Sequence, residues 1–359
     1  MENCKEKGRV CVTGGTGFLA SWLIMKLLQH GYSVNTTIRS HSPDDKKDVG
    51  FLTNLAGASE RLKIFTADLD EPDSFKDAIE GCIGVFHLAH PMEFQGKESE
   101  ETVTTRAVSG ALGILQTCLD SKTVKRVVYT SNEESWTDVD YTRSLSHFGT
   151  TYSISKTLTE KAALEFGEKY GLDVVTVIPS WINGPFISPY CSGFLRASLS
   201  LIYGDKQHMY LENTPFVHTD DVASAHIYLF QHPNAKGRYI CSAVEITIEK
   251  LSEFLAARYS EYQIQLLSSS RDGETKSKII SLSSKKLLDI GFQYKYGLEE
   301  MFDDAVECCK QMVDLEQIYG TASGCRTGKE AWNSGNALHD SYILLKIGNF
   351  DCRNNKFKS

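Results

Sequence analysis

The chain has 359 residues, 41% hydrophobic and 23% charged, with a formal net charge of −8 at pH 7. This composition is typical of a globular protein and argues against nucleic-acid binding, which usually needs a basic excess. The first residues lack the apolar segment of a signal peptide, and no apolar run reaches membrane-spanning length. We therefore expect a cytoplasmic protein without membrane contact. The ten scattered cysteines are interpreted as buried apolar residues, and no metal site is expected.

Apolar segments alternate with amphipathic helical patterns through the first half of the chain. This alternation predicts parallel βαβ units, and hence an α/β fold with a doubly wound parallel sheet of the Rossmann type. The near-continuous apolar strands fit a sheet covered by helices on both faces. In chain order, the predicted elements are strand 9–13, helix 18–30, strand 33–38, strand 62–68, helix 72–80, strand 83–89, helix 99–119, strand 126–131, helix 150–170 and strand 173–179.

The pattern changes after residue 180, where Gly-Pro and Ser-Pro pairs indicate loops. We expect residues 1–180 to form a dinucleotide-binding domain, to which helix and strand elements near 215–242 return. Residues 181–319 are expected to form mainly a smaller substrate-binding lobe at the carboxyl edge of the sheet. Residues 320–359 are polar, without periodicity, and predict a poorly ordered tail. The helical patterns of the lobe and its borders lie at about 220–231, 247–259 and 297–313.

A glycine-rich turn follows the first strand and precedes the first helix. Gly14 and Gly17 permit a tight turn and a close approach of the backbone to a pyrophosphate, and Ala20 allows close packing of helix on strand. The helix N-terminus adds oriented N–H groups and a positive dipole end. The sequence therefore predicts a dinucleotide site. The residues expected at the cofactor phosphates are Gly14, Gly15, Thr16, Gly17, Phe18 and Leu19.

The residues after the second strand indicate the type of cofactor. An NAD site places an acidic residue there, whereas this chain has Arg39 and then Lys46 and Lys47. Because a cation suits a 2′-phosphate, NADP (as NADPH) is favoured, although at least one of the lysines is expected to be simply solvated.

Two further strand ends complete the predicted dinucleotide site. Asp68 and Leu69 are placed to meet the adenine, and a helix-capping role for Asp68 stays open. Leu88, Ala89 and His90 are placed to flank the adenosine ribose.

Tyr152 and Lys156 lie four residues apart in a predicted helix, and hence on one of its faces. An isolated tyrosine titrates at about pH 10 and is a slow acid at neutral pH. A neighbouring ammonium lowers the pKa of the phenol, so we expect this pair to protonate a ketone as hydride arrives at its carbon. The alternative is a surface tyrosine and lysine that match the pattern by chance.

These motifs resemble the extended short-chain dehydrogenases/reductases of plant phenolic metabolism, the dihydroflavonol 4-reductase family. The resemblance implies NADPH-dependent reduction of a 4-keto group on a flavonoid or isoflavonoid, with Tyr152 as acid and Lys156 as its partner and ribose ligand. It also implies that Arg39 and Lys47 hold the 2′-phosphate. It covers about residues 8–315 and rests on stretches 8–19, 85–89, 122–126, 155–162, 216–222 and 237–242. It further implies cofactor contacts from Pro179 and Ile182 at the nicotinamide and from Ser192 at a phosphate.

The chain departs from the family pattern after the fifth predicted strand. Relatives place a serine that polarises the substrate carbonyl where this chain has Asn132, and the loop that then completes their flavonoid pocket is shortened here to 133–136. Ser131, Asn132 and Ser135 are the candidate replacements, although Ser131 is expected to face the other side of the strand. The residues after about Gly320 also lack a family counterpart.

Three hypotheses follow. The first is a monomeric reductase of a small phenolic ketone that has no other partner. Its activity would be reduced because Asn132 replaces the serine and because the following loop is shortened. The second is a catalytically inactive NADPH-binding homologue. The third is an epimerase or dehydratase on the same fold, which would need sugar-nucleotide phosphate ligands in the smaller lobe; there we find only Arg196 and Arg238.

Overall fold

The computed structural model describes most of the chain up to Tyr319 and two short segments beyond it. The described residues are 7–39, 49–91, 98–131, 139, 143, 149–189, 191–204, 211, 213–267, 282–319, 350–351 and 356–357. The strands are β1 Arg9–Thr13, β2 Ser33–Ile38, β3 Leu62–Thr66, β4 Gly84–His87, β5 Arg126–Thr130, β6 Val174–Pro179, β7 Trp181–Asn183, β8 Asn213–His218, β9 Gly237–Cys241, β10 Val244–Thr247, β11 Phe350–Asp351 and β12 Lys356–Phe357. The helices are α1 Phe18–Gln29, α2 Gly50–Thr53, α3 Ala58–Arg61, α4 Lys76–Ile79, α5 Glu100–Ser121, α6 Thr150–Tyr170, α7 Gly193–Ser198, α8 Ser200–Tyr203, α9 Thr219–Gln231, α10 Ile248–Arg258, α11 Lys285–Asp289 and α12 Leu298–Tyr319.

Seven parallel strands form the large sheet, in the order β3-β2-β1-β4-β5-β6-β9. The order reverses between β1 and β4, and ligands of such sheets bind beyond the carboxyl ends of the strands at this reversal. The predicted fold class, a doubly wound parallel sheet, is confirmed. Helix α9 packs on the same side as α1, while α5 and α6 pack together.

The predicted and observed elements differ mainly at their ends. Helix 72–80 is a 3-10 turn, Pro72–Phe75, followed by α4. The strand predicted at 83–89 ends at His87, because the next two N–H groups bond to the Thr13 hydroxyl instead of to a neighbouring strand. Strand β9 joins the large sheet, whereas β8 pairs with β7 and β10 in a second, three-stranded sheet.

The smaller sheet belongs to a separate apolar cluster. Phe186, Leu195, Phe216, Met301 and Phe302 are among its buried members, so α7, β8 and α12 share this core. The predicted tail lies outside the described residues except for β11 and β12, which pair with each other. Over the described part of the chain, no helix combines the length and apolar character that crossing a membrane requires.

Arg126, at the start of β5, links the sheet to the end of α9. Its guanidinium donates to the carbonyls of Leu229, His232 and Ala235 and pairs with Asp173. The carbonyls at a helix C-terminus have no partner within the helix and carry partial negative charge. A buried cation therefore satisfies them and holds α9 against the sheet.

Replacement of Arg126 by methionine is expected to lower the free energy of unfolding by about 3 kcal/mol, because the carbonyls and Asp173 lose their partner inside the protein. Urea denaturation measures the loss. The matched control is Lys125→Met at the neighbouring exposed position, where we expect a change within about 0.5 kcal/mol. Equal effects of the two substitutions would contradict this role of Arg126.

Candidate active site

The glycine turn lies tightly against the neighbouring strands. Gly14 adopts φ +74°, and a Cβ there would stand 3.1 Å from the Cα of Ala89. A Cβ on Gly15 would stand 2.1 Å from the Thr36 hydroxyl oxygen, so only glycine fits. Gly17 donates its N–H to the Gly14 carbonyl, and α1 begins at the next residue. The turn thus leaves the helix N-terminus open to an anionic ligand.

Thr13 ties this turn to the loop after β4. Its hydroxyl oxygen accepts the N–H groups of Leu88 and Ala89, at 3.1 and 3.0 Å, and lies 2.8 Å from His87 Nδ1. The hydroxyl proton is therefore assigned to His87 Nδ1, which accepts it. Burial, and secondarily the charge of Lys156, lowers the pKa of His87 to about 3, which agrees with a neutral ring. Thr13 and His87 are not among the site residues predicted from the sequence, although a threonine directly before a glycine turn is a usable signal.

The adenosine end of the predicted cofactor site carries paired charges. Arg39 Nε lies 3.7 Å from a carboxylate oxygen of Asp68, and both side chains are partly exposed. The other Asp68 oxygen accepts the N–H of Asp70, so Asp68 forms a turn of its own. Leu69 is buried against Gly110. Lys46 and Lys47 lie outside the described residues.

A groove of about 500 Å³ opens beside Leu69, between the turn that follows β3 and the first part of α5. It lies beside the residues predicted to meet the adenine. The groove is lined by Leu69, Asp70, Pro72, Glu101, Thr102, Thr105, Arg106 and Ser109.

Tyr152 and Lys156 lie on one face of α6, beside the end of β5. The ammonium of Lys156 donates to the Thr130 carbonyl at 2.8 Å and lies 5.9 Å from the centre of the Tyr152 ring. It is also 5.3 Å from the centre of the Tyr129 ring. Lys156 is only 2% exposed, whereas Tyr152 is half-buried.

Burial controls the protonation of both groups. It raises the pKa of the Tyr152 phenol well above 10 and lowers the pKa of Lys156 to about 7, against the opposing influence of the Glu160 carboxylate. This direction is opposite to the lowered phenol pKa that the sequence predicts. The reason is that the cost of placing a phenolate in this site exceeds the effect of the nearby ammonium.

His90 connects the loop after β4 to the catalytic helix. Its Nε2 lies 2.7 Å from the Ser155 hydroxyl, which in turn donates to the Tyr152 carbonyl. Its ring stands edge-on to the Tyr152 ring, with 5.2 Å between centres. Burial, with a smaller contribution from Lys156, lowers the pKa of His90 well below its ordinary value, so the ring is neutral. His90, predicted at the ribose, thus contacts the tyrosine.

Aromatic rings extend from Tyr152 into the smaller lobe. The Phe194 ring lies 5.9 Å from the Tyr152 ring and 5.4 Å from the Trp181 ring. Trp181 also donates its indole N–H to the Phe194 carbonyl, which fixes the two rings relative to each other. We call Trp181, Phe194 and Tyr152 the aromatic wall.

Three further predicted cofactor residues lie within two positions of Trp181 or Phe194 in the sequence. Pro179 ends β6 and Ile182 is the middle residue of β7. Ser192 is the N-cap of α7, because its hydroxyl oxygen accepts the N–H of Leu195 at 3.1 Å. Its predicted contact with a cofactor phosphate would use the same hydroxyl group.

Ser131 has a partner on the face of the sheet covered by α6. Its hydroxyl donates to Glu160 at 2.9 Å, whereas the Thr130 hydroxyl points to His226 on α9. The candidate replacements Asn132 and Ser135, with the shortened loop 133–136, lie outside the described residues. Ser131 is thus already engaged in a buried hydrogen bond.

Comparisons with known proteins agree with this architecture. Residues 10–241 match the NAD dependent epimerase/dehydratase family. The chain is 51% identical over 320 residues to vestitone reductase of Medicago sativa, covering 85% of this chain and 98% of that protein. It is 41% identical over 351 residues to dihydroflavonol 4-reductase of Hordeum vulgare, covering 93% and 98%. The crystal structure of alfalfa vestitone reductase matches with a TM-score of 0.76 at 49% identity, covering 85% and 99%. The resemblance indicated by the motifs is confirmed.

Lys156 is expected to make stability depend on pH in a defined window. Its pKa is about 7 in the folded protein and 10.5 ordinarily. Between these values the unfolded chain binds more protons, so stability rises with pH. The free energy of unfolding of the wild type minus that of Lys156→Met should therefore be constant below about pH 7. Above pH 7 it should increase in favour of the wild type.

Urea denaturation at pH values from 6 to about 9 measures this difference. Lys169→Met removes a lysine from an exposed position on the same helix, and its difference from the wild type should stay flat across the window. A flat difference for Lys156→Met as well would show that Lys156 has an ordinary pKa.

Proposed function

The chain belongs to the NAD dependent epimerase/dehydratase family, and from this we propose that it is an NADPH-dependent reductase of the 4-keto group of a flavonoid- or isoflavonoid-type substrate. The observation that carries the proposal is the pairing of the half-buried Tyr152 with the buried Lys156 beside the carboxyl end of β5. The similarity of the whole chain to vestitone reductase and dihydroflavonol 4-reductase supports the substrate class.

The residues at the predicted cofactor site fit a dinucleotide. The glycine turn has no space for a Cβ at Gly15 and adjoins the N-terminus of α1, where a pyrophosphate is favoured. Arg39 is partly exposed and supplies the cation that a 2′-phosphate requires. Bound NADPH supplies the hydride. Gly14, Gly15 and Gly17, with Arg39, would hold its phosphates.

Tyr152 would donate the proton to the ketone oxygen. Because burial raises the pKa of its phenol, Tyr152 keeps its proton at neutral pH until the oxygen gains negative charge. The ammonium of Lys156 would stabilise the phenolate that remains. With a pKa of about 7, Lys156 loses this charge as the pH rises, so the reduction slows on the alkaline side. The His90 ring packs edge-on against the Tyr152 ring and would hold it in place. Because the pKa of His90 is well below its ordinary value, His90 would not take the proton from the phenol.

The aromatic wall supports a substrate that contains flat rings. Phe194 and Trp181 are half-buried and perpendicular to each other, next to the Tyr152 ring. Aromatic rings prefer such offset and edge-on contacts, each of which contributes about 0.5–1.5 kcal/mol beyond the buried area. A phenolic ring stacked here would bring a carbonyl on the adjoining ring close to the Tyr152 hydroxyl.

We infer that turnover is reduced relative to the family. Asn132 stands where relatives carry a polarising serine, and loss of one such donor typically costs about 10²–10³ in rate. The alignment with vestitone reductase also has 320 positions, whereas 85% of this chain is about 305 residues. This difference supports an internal shortening of about fifteen residues, which agrees with the loop expected after Ser131.

Purified protein is expected to oxidise NADPH slowly with a panel of dihydroflavonols and isoflavanones. Tyr152→Phe should abolish this turnover and keep NADPH binding, because only the proton donor is removed. Absorbance at the nicotinamide band measures the rate, and cofactor fluorescence measures binding. Tight binding without turnover would instead favour a catalytically inactive NADPH-binding homologue.

The same assay with Asn132→Ser tests the cause of the reduction. If the missing hydroxyl limits the rate, kcat should rise by about tenfold or more, with little change in NADPH binding. An unchanged kcat would assign the reduction to the shortened loop.

Arg39→Ser is expected to weaken NADPH binding by about tenfold or more, because a charge-assisted hydrogen bond to the 2′-phosphate is lost. NADH binding should change little, since NADH lacks that phosphate. Fluorescence titration with both cofactors measures the effect. Lys63→Ser removes one positive charge from an exposed position on β3 and serves as the control. Equal losses for NADPH and NADH would contradict a 2′-phosphate contact.

A further inference from the structure

Glu160 lies on α6 one turn after Lys156 and has no solvent exposure. Both oxygens of its carboxylate accept hydrogen bonds from β6, from β9 and from the residue that follows β5. Ser131 donates to one oxygen at 2.9 Å and Thr176 to the other at 2.6 Å. Arg238 on β9 donates from Nε at 2.9 Å and from Nη2 at 3.2 Å, one bond to each oxygen. The carboxylate therefore accepts four hydrogen bonds inside the protein.

Such an arrangement is not required for the stability of a fold. Burying a carboxylate costs several kcal/mol, its partner Arg238 is still 29% exposed, and apolar residues of similar volume often stabilise a core as well. A buried negative charge does, however, act strongly on other ionisable groups nearby, because little water screens it. The nearest ionisable position on the same helix face is Lys156, four residues earlier.

The surroundings of Lys156 contain no other described carboxylate that favours its charge. The groups that face it are aromatic rings, a carbonyl and histidines kept neutral by burial. The Glu160 carboxylate raises the pKa of Lys156 and so opposes in part the lowering that burial causes. The groups around Lys156 are Tyr129, Thr130, Tyr152, Glu160, His87, His90 and His226, with Arg238 beyond Glu160.

We propose that Glu160 is a positioning residue of this active site: its carboxylate keeps Lys156 in the ammonium form, and its bond to Ser131 fixes the end of β5 beside the catalytic helix. Arg238 and Thr176 hold the carboxylate in place. The inference rests on the proposed function in one respect, namely that Lys156 assists the reduction. The spacing of Tyr152, Lys156 and Glu160, four residues apart in each step, brings all three to one helix face.

The first test needs neither substrate nor cofactor. The difference in free energy of unfolding between proteins with Lys156 and with Met at this position is measured against pH, in the wild-type and in the Glu160→Gln background. The pH at which the difference begins to rise should be lower in the Glu160→Gln background. Glu165→Gln, at an exposed position on the same helix, removes an equal charge and should leave it unchanged. The same onset in all three backgrounds would overturn the proposal.

The second test is the pH profile of kcat/KM with the best substrate of the panel. For Glu160→Gln, the alkaline limb should move to lower pH, with a loss of about tenfold at pH 8. For Arg238→Met, the limb should stay in place or move to higher pH, because a positive charge is removed. A merely structural role predicts that both variants lose activity equally at every pH, and that outcome would contradict the proposal.

Glu160→Gln leaves the guanidinium of Arg238 without its partner, and circular dichroism shows whether the variant folds. The double variant Glu160→Gln, Arg238→Met leaves no buried charge unpaired and serves if the single variant does not fold. In the double variant, kcat/KM should begin to fall at a lower pH than in Arg238→Met alone. If both variants lose activity at the same pH, the proposal is overturned. Absence of turnover in the wild type would contradict the reductase function, while the unfolding measurement would still decide the effect of Glu160 on Lys156.

Discussion

The burial of the Lys156 ammonium is the constraint on which the active site depends. A lysine with 2% exposure needs compensation for the water it has lost. The Thr130 carbonyl supplies one hydrogen bond, and Glu160 supplies the opposite charge. Thr130 belongs to β5, and Glu160, on the same helix as Lys156, is itself bonded to Ser131, Thr176 and Arg238. The position of α6 on the sheet and the charge of the lysine therefore depend on the same set of contacts.

The two halves of the site are connected through the end of β4. Thr13 fastens the loop after this strand to the glycine turn, on the cofactor side. His90, in the same loop, reaches Ser155 on the catalytic helix. The glycine turn and the proposed proton donor, Tyr152, are therefore both connected to one short segment of backbone.

Much of this molecule could be predicted from local sequence. The strand and helix periodicities predict the parallel sheet, and the turn at Gly14 and the spacing of Tyr152 and Lys156 indicate the chemistry that we propose. The partners of these residues could not be predicted in the same way. The local sequence does not indicate that Ser131 bonds to Glu160 or that the His90 ring lies against the Tyr152 ring. Such contacts join residues from separate elements, and no single stretch of sequence encodes them.

The pKa of Tyr152 also shows the difference between what local sequence predicts and what the folded structure decides. From the sequence, an ammonium four residues from a phenol predicts a lowered phenol pKa; in the folded protein, burial raises it. The sequence by itself determined which groups are present, their spacing along a helix and the family to which the chain belongs. The tertiary structure alone decided how far each group is removed from water and which distant residue compensates it. Desolvation depends on everything packed around a group, and that packing exists only once the chain has folded.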